Sequence, residues 1–145
     1  MVILLFITTN CNRLMFNRIH YKKLDTYSYS KTSKGFILEQ HKTYGIRNAT
    51  DSHITYVLKI MIKDSLKAFE SRVLNIKRDT SLIEIKFDIR SVWNEGQNSI
   101  STSGEIELLN WETEGVTIRQ NITIKELDNK KIYRYKGVKR FQRVQ

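Results

Sequence analysis

The clearest pattern in this chain is the alternation of apolar and charged residues that begins near Leu82. Isoleucine or phenylalanine occupies every second position from Ile83 to Ile89, and charged residues lie between them. This period of two is typical of a strand with one buried and one solvent-exposed face. Three further strand-like segments follow, with turn-forming residues between them. The pattern predicts a four-stranded antiparallel meander with strands at 83–90, 105–111, 116–126 and 132–143.

A different spacing precedes the meander, in residues 52–76. From Ile54 to Leu74, apolar residues recur three or four positions apart, as on one face of a helix of about six turns. Asp51 and Ser52 are good N-cap residues for its start. The even positions from Ile54 to Ile62 also alternate as a strand would. The length of the pattern favours the helix over the strand.

Residues 26–44 predict a hairpin. Tyr27 and Tyr29 lie on one side of a first strand, and residues 31–35 form a turn cluster that leads into a second strand at 36–44. The sequence therefore predicts an α+β fold, in which an N-terminal hairpin and one long helix pack on a curved four-stranded meander. Residues 26–145 form the predicted domain, and residues 1–25 form an apolar and then basic segment, a signal or a tether.

The order of hairpin, helix and four antiparallel strands resembles the cystatin-like and nuclear transport factor 2-like domains. The resemblance extends over residues 50–145, and residues 127–135 look like the final hairpin of those domains. It implies a curved sheet that wraps a helix and encloses a cone-shaped pocket. Such folds include enzymes, carriers and interaction modules, so the resemblance does not select a function.

The N-terminus holds a short apolar run, Met1 to Ile7, followed by Thr8-Thr9-Asn10-Cys11. This segment resembles a bacterial lipoprotein signal, although Thr8 and Asn10 depart from the usual pattern and no basic residue precedes the run. The resemblance implies cleavage before Cys11, lipidation of its thiol and a place at the cell envelope. A buried structural segment, or a true start at Met15, explains the same residues.

The chain is strongly basic, with a formal net charge of +10. Such a balance favours anionic partners, for example RNA or a phospholipid surface. Cations are densest around the last predicted strand, where Tyr133, Tyr135 and Phe141 lie among them, and this composition is typical of single-stranded RNA platforms. A strand with one core face and one solvated face explains it equally. The candidate anion-binding residues are Lys130, Lys131, Arg134, Lys136, Lys139, Arg140 and Arg143.

Motifs for catalysis or metal binding are absent from the sequence. His20, His41 and His53 are scattered, the single cysteine cannot form a cysteine-rich metal site, and no phosphate-binding glycine loop occurs. We therefore predict no catalytic residue, no metal and no cofactor. Five aromatic residues are candidates for a ligand pocket or for an ordinary aromatic core: Tyr56, Trp93, Trp111, Tyr133 and Tyr135.

Taken as a whole, the sequence predicts a small non-enzymatic binding or accessory domain. In the first hypothesis it is a lipid-anchored envelope protein that binds a protein or a small ligand on its sheet. In the alternative it is a basic intracellular subunit of a ribonucleoprotein or another assembly. An anionic partner is compatible with both hypotheses.

Overall fold

The structure, a computed structural model, describes residues 21–33, 35–46, 53–63, 72–91, 94–97, 99–128 and 130–144. Within these ranges every regular element is a β-strand, and there is no helix. The strands are β1 (Tyr21–Thr32), β2 (Gly35–Ile46), β3 (His53–Ile62), β4 (Val73–Asn75), β5 (Ile83–Ser91), β6 (Asn94–Gln97), β7 (Ile100–Glu112), β8 (Gly115–Glu126) and β9 (Ile132–Arg143).

Alternation of apolar and polar residues explains why these segments are strands. In β8 the even positions from Val116 to Glu126 are all buried, whereas Arg119, Asn121 and Lys125 are exposed. Isoleucine and valine, which favour extended backbone, fill most of the buried positions. Each strand thus presents one face to a shared core and the other to solvent.

The described strands form one sheet in the order β4-β7-β8-β9-β1-β2-β3-β5-β6. Neighbouring strands are antiparallel except β1 and β9, which run parallel through the pairs Ser28–Gln142 and Tyr29–Arg143. The amide of Val144 donates to the carbonyl of Tyr29 at 3.0 Å and extends this short seam. The seam joins the sheet's two groups of antiparallel strands.

Side chains from strands far apart in the sheet meet inside it. The rings of Phe87 on β5 and Tyr133 on β9 lie 4.8 Å apart, although three strands separate them in the order. Gln120 on β8 donates from Nε2 to Oε1 of Gln40 on β2 at 3.1 Å, and both side chains are buried. These contacts require a strongly curled sheet. The molecule is therefore a nearly closed, barrel-like sheet around one core.

The predicted helix over 52–76 is wrong, and with it the α+β class. Residues 53–62 form β3 and residues 73–75 form β4, while 64–71 lie outside the described residues. The inward face of β3 is apolar, and two apolar residues, Val57 and Met61, also lie on its outer face beside Thr55 and Lys59. These two residues, taken together with the inward ones, produce spacings of three and four, which imitate a helix.

The predicted meander is correct for its last three strands and wrong for its first. Strands β7, β8 and β9 are successive antiparallel neighbours, and β9 spans the predicted residues 132–143. Strand β5 instead pairs with β3, and residues 94–97, predicted as a turn, return as β6 along β5. The predicted N-terminal hairpin is confirmed as β1 and β2, with Tyr21–Asp25 extending β1 into the segment assigned to a tether.

The pairing of β8 with β9 continues through Gly137 without a shift of register, so no bulge occurs there. The shift lies in β7 between Leu108 and Asn110. Gly137 is nevertheless distinctive, since its φ is 97°, a backbone conformation that other residues rarely adopt. Gly104 in β7 shares this property with a φ of 125°.

These two glycines make a matched test of the sheet. A Cβ at residue 104 would overlap the carbonyl oxygen of Asn121, whereas a Cβ at residue 137 would meet nothing within 4 Å. We expect Gly137→Ala to lower the free energy of unfolding by about 1–2 kcal/mol through backbone strain alone. Gly104→Ala should cost more than about 3 kcal/mol, because strain and overlap add. Equal losses in urea titrations would contradict this packing.

The hydrogen bond between Gln40 and Gln120 gives a second prediction. Replacing either residue by leucine leaves a buried amide group of the other without its partner, so each variant should lose about 1–3 kcal/mol of unfolding free energy. The double variant should lose clearly less than the sum, because it leaves neither amide behind. A double-mutant cycle by denaturant titration measures this coupling, and strict additivity would show that the two side chains do not interact.

Candidate ligand-binding site

A pocket of about 340 Å³ opens at the end of the barrel where β9 begins. Strands β2, β3 and β9 supply its walls. The lining residues are Lys42, Tyr44, Tyr56, Ile132, Tyr133, Arg134 and Tyr135. Four of the seven are tyrosines and two are cations, so the pocket combines flat ring surfaces with positive charge.

The rings in this pocket are held by contacts with one another. Tyr56 packs edge-on against Tyr44 at 5.6 Å between centroids, and its ring is tilted against that of Tyr133 at 5.4 Å. Phe87, behind them in the core, lies 4.8 Å from Tyr133 and 6.3 Å from Tyr135. Such ring pairs stabilise beyond the area they bury, by about 0.5–1.5 kcal/mol each. The pocket walls are therefore positioned before any ligand arrives.

Polar contacts fix two of the tyrosines. The hydroxyl of Tyr133 donates to Oε1 of Glu126 at 3.1 Å, and Glu126 is buried at the end of β8. The ammonium of Lys42 lies 4.2 Å from the ring centroid of Tyr135. This cation–π contact places a positive charge against the pocket wall.

The tyrosines keep their protons well above neutral pH. Burial raises the pKa of Tyr135, and the neighbouring hydroxyl of Tyr44 adds to the effect. Burial also raises the pKa of Tyr133, followed by its hydrogen bond to Glu126. The pKa of Tyr56 is raised for the same first reason. The rings thus remain neutral, and the charge of the lining comes from Lys42 and Arg134.

Strand register explains why these residues meet. Inward positions of β2 run Leu38, Gln40, Lys42 and Tyr44, so the face is apolar at one end and polar at the other. Lys42 is the register partner of Tyr56 on β3. Curling of the sheet then brings this polar end to the start of β9.

The structure brings together three of the five predicted aromatic candidates, Tyr56, Tyr133 and Tyr135. Trp111 lies elsewhere, opposite Val116 at the far end of the barrel, and its side chain is 40% exposed. Trp93 lies outside the described residues. The walls of the pocket are strands, and no helix of the described residues contributes to it.

The seven predicted cations do not form one surface. Lys139 faces inward, with its ammonium 5.5 Å from the ring centroid of Tyr27. Arg140 donates to Glu112 at 2.9 Å, and Arg143 lies at the far end of β9. Lys130 and Lys131 are exposed in the turn before β9, and Lys130 has a positive φ of 58°. The remaining two are Arg134 and Lys136.

Arg134 and Lys136 do share an exposed face, on the outer side of β9. Lys125 of β8 joins them, because it lies diagonal to Arg134, whose own register partner on β8 is Thr123. We call these three residues the outer cationic patch. Among the residues that the structure describes, none of the three forms an ion pair, and Asn121 and Thr123 lie opposite Lys136 and Arg134.

Sequence reasoning missed Lys42, Tyr44 and Glu126. A signal was present, since each occupies an alternating inward position that apolar residues fill elsewhere on the same strand. Polar side chains at one end of an apolar register indicate where a barrel interior becomes polar. The positions that surround these residues could not be known without the pairing of strands.

Two of the four glutamates in and just after β7 are held by arginines. Glu107 and Glu112 are bound to Arg119 and Arg140, while Glu105 and Glu114 are exposed. No group of three or more His, Cys, Asp or Glu side chains suited to a metal occurs in the described part of the chain.

The predicted signal, Met1–Ile7 with Cys11, lies outside the described residues, and so does Met15. Lipidation therefore stays a prediction, as does the envelope location. Over the residues that the structure covers, no helix has the length and apolarity needed to cross a membrane.

No protein-family model matches this chain, and comparisons with curated proteins and with solved structures find no match. The resemblance to cystatin-like and nuclear transport factor 2-like domains is thus neither supported nor refuted by relatives. The site has to be interpreted from its own geometry.

The raised pKa values of Tyr133 and Tyr135 predict a pH dependence of stability. Above about pH 10 the unfolded chain releases phenolic protons that the folded chain retains, so the free energy of unfolding should fall as pH rises. Below about pH 9 these two groups should contribute no slope. Urea titrations between about pH 8 and 11.5, with tyrosinate absorbance at each step, measure this effect.

Tyr135→Phe is the control, because lysines also titrate in this range. The variant should have a shallower fall with pH than the parent protein. An identical fall would show that burial of Tyr135 does not set the dependence.

Proposed function

We propose that this domain is a binding module for a small ligand that combines a flat aromatic ring with an anionic group. The observation on which the proposal rests is the pocket of about 340 Å³, lined by four tyrosines together with Lys42 and Arg134. Ligand pockets in proteins fall in this size range and are lined mainly by hydrophobic and aromatic side chains, with a few placed polar groups.

Ring surfaces select the first half of the ligand. Tyr44 and Tyr56 pack edge-on against each other and both line the pocket, while Ile132 adds an apolar side. A flat ring inserted here gains stacking and edge contacts without reordering the walls. Hydroxyls on the tyrosines also allow hydrogen bonds to polar atoms at the ring's edge.

The charge of the pocket lining determines the second part of the ligand, its anionic group. Tyrosine-lined pockets can also enclose quaternary ammonium groups, through cation–π contacts. Here the lining itself contains Lys42 and Arg134 and no carboxylate, and the ammonium of Lys42 already occupies the ring of Tyr135. The carboxylate of Glu126 is buried behind Tyr133 and bound to its hydroxyl. The charges that a ligand meets at the lining are therefore the two positive ones, which favour an anion, and for an anion arginine offers paired donors.

The proposal is tested by calorimetric titration with three probes. Adenosine 5′-monophosphate and 4-hydroxybenzoate both combine a ring with an anion, and choline is a small quaternary ammonium cation. At least one anionic probe should bind and choline should not. Choline binding tighter than both anions would overturn the proposal, and so would the absence of any binding.

Substitutions locate the binding. Arg134→Gln should weaken the binding of the anionic probe about tenfold or more, because it removes a charge-assisted hydrogen bond. Arg143→Gln is the matched control, since it removes the same residue type from the far end of the same strand. Equal effects of the two variants would show that net charge, and not the pocket, governs binding.

Tyr44→Leu tests the rings in the same way. It should make the binding free energy of the probe less favourable by about 1–3 kcal/mol, the typical value for removal of one stacking partner. Trp111→Leu is the control, because Trp111 is a partly exposed aromatic residue at the opposite end of the barrel. Denaturant titration of both variants checks that each remains folded.

A further inference from the structure

We infer that the ligand of the pocket is one base of a single-stranded nucleic acid, whose neighbouring phosphates lie on the outer cationic patch. This inference rests on the proposed function, because it names the ligand class for the same pocket. It adds the outer face of β8 and β9, which the small-ligand proposal does not use.

Arg134 connects the two surfaces. Its neighbours Tyr133 and Tyr135 face the barrel interior, while Arg134 itself is exposed on the outer side of β9 and still lines the pocket mouth. Ile132 has the same double position, since it lines the pocket and pairs with Lys125 of the patch. A nucleic-acid strand that leaves the pocket past Arg134 therefore passes directly onto the patch.

The spacing of the patch suits a polymer of phosphates. Arg134 and Lys136 are two residues apart on one strand, so their side chains leave the sheet roughly 6.5 Å apart. Lys125 is diagonal to Arg134 across the β8–β9 pair, at about 7–8 Å. These distances are comparable to those between successive phosphates of an extended single strand. Asn121 and Thr123, opposite Lys136 and Arg134, add hydrogen-bond donors of the kind that contact phosphates.

On the opposite wall of the barrel, several of the described lysines are paired with carboxylates. On the outer faces of β2, β3 and β5, Lys59 is 2.9 Å from Glu39 and Lys86 is 3.5 Å from Glu84. Lys63, directly after β3, is 3.3 Å from Glu84. On β7, β8 and β9 two further cations are neutralised, Arg119 by Glu107 and Arg140 by Glu112. Within these described strands, the patch thus sets unneutralised charge beside the pocket.

A base in the pocket fits the aromatic lining. Aromatic side chains bind single-stranded bases by stacking, which every base can provide. Single strands are preferred over duplexes, because a paired and stacked base is not available for insertion. A phospholipid surface would use the same cations but would have no use for a ring pocket.

The test compares a monomer with a polymer. Fluorescence anisotropy and calorimetry would measure the binding of adenosine 5′-monophosphate, single-stranded (dA)₄, and a duplex of the same length held by a hairpin loop. We expect (dA)₄ to bind at least tenfold tighter than the monomer and tenfold tighter than the duplex. Phosphatidylserine vesicles, against phosphatidylcholine vesicles, test a membrane surface instead.

Variants separate the pocket from the patch. The double variant Lys125→Gln/Lys136→Gln should weaken the binding of (dA)₄ tenfold or more and leave the binding of the monomer unchanged. It should also make the dependence of log K on log salt shallower, by about 0.7 for each phosphate that the variant no longer neutralises. Tyr44→Leu should weaken the binding of both ligands. Arg143→Gln is the control, and should change neither by more than twofold.

Each outcome separates the two proposals. If 4-hydroxybenzoate binds the pocket and adenosine 5′-monophosphate does not, the small-ligand proposal stands and this inference fails. If the monomer binds and (dA)₄ is no tighter, the patch has no role. If (dA)₄ binds and Tyr44→Leu has no effect, the binding is electrostatic only, and the inference is overturned. Binding to phosphatidylserine vesicles that exceeds binding to (dA)₄ would assign the patch to a membrane.

Discussion

The architecture of this protein depends on contacts that cross the interior of its curled sheet. Phe87 and Tyr133 meet through their rings, and Gln40 and Gln120 meet through a buried hydrogen bond, although other strands separate each pair in the sheet. A flat sheet could make neither contact, and would leave large apolar areas exposed to water. Curvature thus creates the core and, at the end where β9 begins, the pocket.

A strand could be predicted from the sequence where one of its faces is exposed to solvent and carries polar residues. Strands β8 and β9 alternate cleanly, and their bounds follow from the sequence almost to the residue. Strand β3 keeps its alternating inward residues, but Val57 and Met61 add apolar residues to its outer face. The added positions obscure the period of two, and the apolar spacing then fits a helix as well.

The candidate site was predictable in composition but not in arrangement. Tyr133 and Tyr135 were recognisable as residues of interest because they alternate with cations on one strand. Lys42 and Tyr44 lie far earlier in the chain, and only the register of the strands and the closure of the barrel bring them to the same opening. Closure also divides the cations of β9, because Lys139 turns inward while Arg134 and its neighbours on the patch turn outward. Pairings between residues so distant in sequence leave no local signal.

The parallel seam between β1 and β9 has a consequence for how the chain becomes functional during synthesis. It consists of two residue pairs and joins the first described strand to the last. Tyr44 and Tyr56 leave the ribosome long before Tyr133 and Tyr135, so a nascent chain holds only half of the pocket until β9 has emerged and docked. Any ligand that needs both halves binds only the completed protein, and by mass action it stabilises the seam that completes it.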